Sequence, residues 1–575
     1  MRSRMATDGV FLSDLVSSDD TKNNTNDDSS NGLSTVLAPT ANTTISSNGG
    51  WRFWAIFLAL AITSLLAAVE STVTSTAMPS IAAALDAGEL YVWFVNAYTL
   101  ASTALLPLYG QIADIFGRRW LTITVVAIFA IGSGVSGGAR SAGMLIAGRA
   151  VQGAGGGGVI LMIEMIICDL VPLRDRGKFM GIIFAVFALG SSLGPFIGGA
   201  ISQNSTWRWV FWINLPIAAV ALMMLIAFLH VNYKRETSIA KRLRRIDYVG
   251  NVILVASVTA VLIALTYGGT VYSWSSWRVL LPLIIGFAGL AVFITYESSR
   301  WCAEPMTPPH LFLNRTSAAA FYLTFMHSLL SFWILYFLPV YFQAVKLEGP
   351  TRSGALLLPT VVTIIPGGMI SGVLLSKYGR YRPLHLVAFI LFTLGTGLFI
   401  LFDQYSSTAL YVCVQFIGGL GSGFALSTLL PATQAALSED DTASSAATWA
   451  FIRTFGTVWG VSIPAAIFNS RCDSLSIRID DIAVRAQIAN GQAYSHATRE
   501  WILSMTSRTQ EQVIGVFSGS LQLVWIVATA IAGVSIFVVF VEKEIKLRDN
   551  LETEYGLENS ERPPEKMNDS PANIG

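Results

Sequence analysis

Two stretches decide the reading: Gly110-Gln111-Ile112-Ala113-Asp114-Ile115-Phe116-Gly117-Arg118-Arg119 and Gly372-Val373-Leu374-Leu375-Ser376-Lys377-Tyr378-Gly379-Arg380-Tyr381. Both run glycine, a second glycine seven residues on, then arginine, with Ser376 standing where the first copy has Asp114. Each closes a long apolar run, so each is a tight polar turn between two apolar segments. One pattern used twice in an apolar chain is expected of two related helix bundles with a site between them.

The runs around these turns set the fold class. Of 575 residues, 53% are hydrophobic and 13% charged, whereas an ordinary soluble domain carries about 25% charged residues. Too few ionisable groups remain to solvate several globular domains, and lipid is the solvent that fits. A membrane-crossing helix takes about 20 mostly apolar residues. Fourteen candidates occur, at 53–78, 91–112, 120–138, 143–168, 178–202, 210–230, 249–267, 278–296, 316–342, 354–376, 384–402, 409–432, 443–468 and 515–541. Backbone polar groups in lipid must be satisfied within the segment, so each candidate is a helix. The alternating segments of a membrane barrel are missing from the pattern.

The chain therefore reads as an all-α polytopic membrane protein. Spans 1–6 and 9–14 form two pseudo-symmetric six-helix halves, and spans 7 and 8 are an inserted hairpin. The expected divisions are a polar, disordered tail at 1–50, a first half at 51–230, a linker with the two extra helices at 231–315, a second half at 316–541 with an external loop at 470–514, and a tail at 542–575. Acidic and polar residues follow Met1-Arg2-Ser3-Arg4 where a signal peptide would be apolar, so the first span is expected to stay in the mature protein.

Lys and Arg in short loops give the orientation. Arg118 and Arg119, then Arg174, Arg176 and Lys178, then Lys234, Arg235, Lys241, Arg242, Arg244 and Arg245 fall in alternate loops, and Lys377, Arg380 and Arg382 continue the series. Both tails are expected in the cytoplasm. Loop 437–446 runs against the rule, with Glu439, Asp440 and Asp441 and no base.

Charges inside spans are costly, at about 2.5–3.5 kcal/mol each on insertion scales, and mark function. At 1.5 Å per residue, Glu70 in span 1 and Arg149 in span 4 both lie roughly 9–12 Å below the outer surface. Opposite charges at one depth are natural partners. Glu70 is then a candidate for taking up and releasing a proton as Arg149 moves, since a nearby cation favours the carboxylate; the alternative is a static pair that fixes packing. Asp114 and Arg118, four apart, suit a latch at the cytoplasmic gate together with Gly110, Gly117 and Arg119. Glu164 and Asp169, near the inner end of span 4, are each able to join it; the alternative is that they are simply solvated.

Span 5 carries Gly190, Gly194, Pro195, Gly198 and Gly199. Small residues four apart allow close helix packing, and proline removes a backbone hydrogen bond and bends the helix. Gln152, His327 and Arg453 fall where a substrate cavity would lie, and Trp93, Tyr98, Trp209, Phe332 and Trp333 are aromatic candidates for its wall or for packing.

Other classes fit poorly. A net charge of +1 argues against nucleic acid. Cys168, Cys302, Cys413 and Cys472 form no CxxC and no histidine cluster accompanies them, so no metal, disulfide scaffold or cysteine chemistry is expected, with Cys472 placed in a polar loop. Glycines 155–158 lack the Lys-Ser/Thr of a phosphate loop and sit inside a helix, so no nucleotide site is expected. No cofactor is expected, nor the convergent nucleophile and base of an enzyme.

These residues resemble the major facilitator superfamily. Gly110–Arg119 is similar to its loop 2–3 signature, Arg149-Ala150-Val151-Gln152-Gly153-Ala154-Gly155 to the helix 4 signature associated with proton transfer, and Gly190–Gly199 to the helix 5 antiporter signature. Trp207-Arg208-Trp209-Val210-Phe211-Trp212-Ile213-Asn214-Leu215-Pro216 resembles the start of helix 6 in the fourteen-span drug:proton antiporter branch. That branch reads Leu-Asp-x-Thr-Ile-Val in helix 1, where this chain has Val69-Glu70-Ser71-Thr72-Val73, an acid longer by one methylene. Leu338-Pro339-Val340-Tyr341-Phe342-Gln343, Ser353-Gly354-Ala355 and Gly379-Arg380-Tyr381-Arg382-Pro383 look like fungal members.

The resemblance covers about residues 51–545. It implies a monomeric, proton-coupled exporter of a hydrophobic small molecule (toxin, secondary metabolite or drug) working by alternating access in the plasma membrane. Its partners would be substrate, protons and lipid. The other readings are a siderophore or basic amino-acid transporter, the latter vacuolar, and a non-transporting sensor, which would be expected to lose Glu70, Arg149 or Asp114.

Overall fold

The computed structural model describes residues 50–85, 93–230, 239–268, 272–302, 304–489, 491–494 and 496–548. The tail expected at 1–50, apart from Gly50, most of the tail at 542–575, and the basic pair Lys234 and Arg235 lie outside the described residues.

The first half comprises α1 (Trp51–Ala84), α2 (Trp93–Ala104), α3 (Leu106–Phe116), α4 (Arg118–Gly137), α5 (Ala142–Leu170), α6 (Leu173–Asn204), α7 (Trp209–Trp212) and α8 (Asn214–Phe228). Next come α9 (Ile239–Arg245) and the hairpin α10 (Tyr248–Tyr267) and α11 (Trp277–Glu297). The short α12 (His310–Leu313) leads to the second half: α13 (Arg315–Val340), α14 (Pro350–Tyr378), α15 (Arg382–Leu398), α16 (Thr408–Gln434) and α17 (Thr442–Leu475). Last are α18 (Ile482–Ile488), α19 (Arg499–Leu503) and α20 (Ser507–Val539). Among the described residues no strand forms.

Thirteen helical stretches among the described residues are long and apolar enough to cross a membrane. The expected second span is the fourteenth, built from α2 and α3 with a break at Leu105. Pro107, in the first turn of α3, has no N–H to carry the α2 ladder onward, which accounts for the break. The two signature turns share a positive φ at the second glycine but differ in ψ, 158° at Gly117 and 19° at Gly379. Gly117 has φ +88° and Gly379 has φ +66°, left-handed conformations that residues with a Cβ rarely adopt, so the second glycine of each copy is a backbone requirement.

Pairings repeat between halves. In the first, α1 packs on α6 and α8, and α5 on α2 and α4; in the second, α13 packs on α17 and α20, and α16 on α14 and α15. Contacts between halves follow the same exchange: α6 meets α14, and α3 meets α17. The hairpin stands beside α2, α3 and α17, with Trp93 Nε1 donating to the Tyr267 hydroxyl at 2.8 Å near one end.

Several expectations need correction. α6 begins at Leu173, before the expected 178, so Arg174 and Arg176 belong to a helix, and Arg176 is fully buried. The acidic loop 437–446 is partnered from elsewhere: Glu439 pairs with Arg176 and Arg548, each at 3.2 Å, and Asp441 is hydrogen-bonded to His310 at 2.7 Å. Cys472 is not in a loop. It is buried in α17 and its thiol meets Ser520 Oγ at 3.2 Å. Segment 470–514 is a folded cap, with Ile479, Ile488 and Ile502 fully buried in the second-half core.

If that cap is integral, Ile488→Ala should destabilise the detergent-purified protein by about 2–5 kcal/mol. Ile482→Ala, on the same short helix but 77% exposed, should leave thermal unfolding unchanged. Equal effects from the two would show that the cap does not pack as described.

Candidate functional site

The buried charges of the first half meet at one point. Glu70 of α1 and Arg149 of α5 are both buried, and an Arg149 terminal nitrogen donates to Glu70 Oε1. The other Glu70 oxygen accepts from the Asn214 amide, at the start of α8. Arg149 Nε donates to the Phe94 carbonyl of α2 at 2.8 Å, and its terminal nitrogen to Gln152 Oε1 at 2.7 Å. Gln152 in turn donates to Ser133 Oγ of α4 at 2.8 Å. The Tyr98 ring lies under the guanidinium with its centroid 4.6 Å from Cζ, a cation–π contact. Five helices thus contribute to one ion pair.

Glycine makes this convergence possible. A side chain at Gly153 or Gly157 of α5 would overlap the α2 backbone at Tyr98 or Ser102, and one at Gly155 would overlap Phe129 of α4. Small residues let helices close to distances at which short polar side chains reach one another. Gly190 and Gly194 do the same for α6 against α1: a Cβ at Gly190 would lie 2.7 Å from Ala68 Cβ, and one at Gly194 would meet Thr72 and Val69, flanking Glu70. Gly198 lies in the same helix; the side-chain surroundings of Pro195 and Gly199 lie outside the described residues.

The residues expected as a gate separate into two groups. Arg118 pairs with Asp114 at 3.0 Å and with Asp169 at 2.8 Å, and donates to the Ala113 carbonyl at 2.8 Å. Every one of these partners lies in the first half, so the cluster fastens the loop to α5. Arg119 points elsewhere, donating to the Ile226 carbonyl near the end of α8 at 3.0 Å. Gly110 is the residue of this group that touches the second half, where a side chain would overlap Ala447 of α17.

Near the signature turns, a polar bridge between halves is made by the start of α6. Arg176 donates to Gln434 Oε1 at 2.8 Å and to Glu439 at 3.2 Å. Arg174 donates to the Ser376 carbonyl and, at 2.7 Å, to the Lys377 carbonyl. Ser376 donates to Asp175. Where the first signature copy holds its own acid, the second borrows one from the opposite half. Sequence reasoning used Arg174 and Arg176 only for orientation, and the available signal was the polar Leu-Arg-Asp-Arg-Gly run ahead of span 5. Asn214 was also missed, although an Asn in an apolar run is itself such a signal.

The cavity candidates do not converge. Gln152 belongs to the Glu70 network. His327 of α13 is buried against Ser422 of α16, at 2.9 Å from Oγ. Arg453 of α17 pairs with Glu164 of α5, joining the halves at a buried level, with the Trp449 ring 4.7 Å away. Arg453 Nε and Glu164 Oε2 are buried without a hydrogen-bond partner, so this pair retains polar capacity toward a third group. Of the aromatic candidates, Tyr98 reaches the ion pair, Trp333 is fully buried, and Trp209 is exposed.

Comparison with known proteins bears on this arrangement. Residues 60–461 match the family profile described as Major Facilitator Superfamily. The chain is 49% identical over 514 residues to the MFS-type transporter gkaD of Penicillium citrinum, covering 89% of this chain and 88% of that one. It is 44% identical over 549 residues to the MFS-type efflux pump LUC4 of a Fusarium species, covering 93% and 97%. Among solved structures, the proton:xylose symporter XylE aligns with a TM-score of 0.53 at 15% identity, covering 87% of this chain and 98% of that one, a likeness of fold.

Cys168, buried and 3.6 Å from Gln434 across the interface, is a native reporter of this junction. A hydrogen bond to a charged group contributes about 1.5–3 kcal/mol, and 1.4 kcal/mol is about tenfold in an equilibrium. Arg176→Ala should therefore raise maleimide labelling of Cys168 by about tenfold, and Gly110→Leu should act in the same direction, whereas Arg119→Ala should not. Unchanged labelling in Arg176→Ala would show that α6 does not hold the halves together.

Proposed function

The chain belongs to the Major Facilitator Superfamily, and on that premise we propose that it exports a hydrophobic small molecule in exchange for protons. It is a multi-pass membrane transporter and not an enzyme. Efflux is supported by relatives named as efflux pumps, among them LUC4 and FUS6 of Gibberella moniliformis. Proton coupling is supported above all by one observation, the buried Glu70 carboxylate held between Arg149 and Asn214.

A proton on Glu70 cancels its charge and weakens its hold on the guanidinium. Arg149 retains Phe94 and Gln152 as acceptors, so it is not stranded when Glu70 is neutral. What loosens is the tie of α1 to α5 and α8. α1 packs through Gly190 and Gly194 on α6, and the other end of α6 holds the second half through Arg174, Asp175 and Arg176. Protonation in the first half thereby reaches the interface along one helix. Inward proton movement supplies about 2.3 kcal/mol per charge per 100 mV from the potential alone.

The cross-half pair Glu164–Arg453, with its unpartnered atoms and the Trp449 ring, is the place proposed for cargo contact. The Lys and Arg distribution supports both termini in the cytoplasm. The proposed site of action is the plasma membrane, and the proposed working form is a monomer.

Glu70→Gln removes the titrating group and keeps an amide able to accept from Arg149. In inside-out vesicles bearing equal amounts of protein, it should abolish proton-driven accumulation of cargo while leaving the protein folded and binding-competent. Uphill transport at the wild-type rate in Glu70→Gln would overturn the coupling. Lower cargo content in cells lacking the protein would overturn export.

A further inference from the structure

The inserted hairpin carries chemistry that the transport cycle does not use. Asp247 precedes α10, and its Oδ1 accepts the Gly250 N–H at 2.9 Å and the Tyr296 hydroxyl at 3.1 Å. Its Oδ2 accepts the Cys302 thiol at 3.5 Å. Glu297 is the last residue of α11 and is only 4% exposed. Its Oε2 accepts the Thr307 N–H at 3.1 Å, and its Oε1 is buried with no hydrogen-bond partner. One ligand atom from each of Asp247, Glu297 and Cys302 lies within 4.8 Å of the others. Antiparallel α10 and α11 bring the two acids together, and the turn after α11 returns Cys302 to them.

The donors to these carboxylates are neutral: backbone N–H groups, a phenol and a thiol. Two buried carboxyl groups this close need a positive charge between them, either a shared proton or a cation. The thiol points to the cation. Zinc holds oxygen and sulfur ligands at about 2.0–2.3 Å in a tetrahedron, which sets them about 3.5 Å apart. The Cys302 sulfur and Asp247 Oδ2 are at that separation. A thiolate with two carboxylates suits zinc better than magnesium or calcium, which prefer oxygen alone.

We propose that Asp247, Glu297 and Cys302 form a binding site for a zinc-class divalent cation at the basic end of the hairpin, with water in the fourth position. On binding, the Cys302 thiol gives its proton to solvent and ligates as thiolate. The Tyr296 hydroxyl orients Asp247 from outside the coordination sphere. The site also bears on the gate. Gln111, the second residue of the first signature, accepts the Asp247 N–H at 3.1 Å and donates to the Glu304 carbonyl at 3.0 Å. A bound cation therefore stiffens the turn that clasps α3. The spacing of the three residues matches no metal signature, so only the fold brings the site into view.

The test uses full-length protein purified in detergent and stripped with a chelator. Zinc is titrated against a chromophoric competitor, and cobalt serves as a spectroscopic substitute. The wild type should bind zinc saturably and gain thermal stability, and its cobalt form should show a thiolate charge-transfer band in the near ultraviolet. Cys302→Ser, which keeps a hydroxyl donor for Asp247, should lose that band and bind zinc at least about tenfold more weakly, the loss that even outer-shell changes cause. Glu297→Gln should weaken binding similarly, and Cys413→Ser, at an exposed thiol, should change nothing. Absence of saturable binding, or wild-type affinity in both ligand variants, would overturn the site and leave a shared proton between the two acids.

Discussion

A charge in lipid has few ways to survive, and the first half of this molecule is arranged around one of them. Glu70 and Arg149 face each other with no access to water, and removing one partner of such a pair typically costs about 3–5 kcal/mol. The hydrogen bonds from Asn214, to Phe94 and to Gln152 satisfy what the pair leaves open. Meeting that requirement draws α1, α2, α4, α5 and α8 to one point. The glycines of α5 follow from it, because only helices without side chains between them come near enough for these groups to touch. The ion pair and the glycine run are two parts of one constraint.

The same close packing divides α6 into two working ends. Toward one end, Gly190 and Gly194 seat it against α1 beside Glu70; toward the other, Gly177 and Gly181 seat it against Gly372 and Gly368 of α14. A helix packed this closely at both ends joins the two contacts through one continuous backbone. The antiporter-like glycines of span 5 do not meet the other half at Gly190 and Gly194. They fix the lever to the proton site proposed here, while the interface is held by residues roughly 2.5–5.5 turns earlier in the chain.

Much of the architecture was legible because lipid leaves so little freedom. Apolar run length, alternation of Lys and Arg, and the repeated Gly-x6-Gly-Arg turn led to helices, halves and hairpin, and Gly117 and Gly379 show why the repeat had to be glycine. The partnership of Glu70 with Arg149 was readable from equal depth alone. Partners at unequal depth, or supplied by the opposite half, were not. Asp114 and Arg118 looked like an interface latch because their spacing says only that they reach each other. Which surface they face depends on tertiary packing, and there the bridge belongs to Arg176, Asp175 and Ser376. The broken second span escaped notice because Pro107 sits inside an apolar run whose hydropathy is unaffected by the lost N–H.

The inserted hairpin extends this logic to a part of the chain that neither half requires. Its two helices are tied to the first half near both ends, at Trp93–Tyr267 and at Gln111, and they also pack against α17 of the second half. In the transport cycle proposed here, an element that touches both halves must shift with one and slip on the other. Polar ties hold it to α2 and α3, whereas the contact with α17 is largely apolar, through Phe451, Phe455 and Val458, with one longer hydrogen bond from Ser462 Oγ to the Leu265 carbonyl at 3.4 Å. Directional bonds resist sliding, whereas apolar contacts exchange one neighbour for another at small cost. The hairpin is thus bonded more tightly to the first half, by shorter hydrogen bonds near both of its ends, than to the second. At its basic end the clasped Gln111 is the chain neighbour of Gly110, whose approach to Ala447 of α17 places that bonding directly beside the contact between halves.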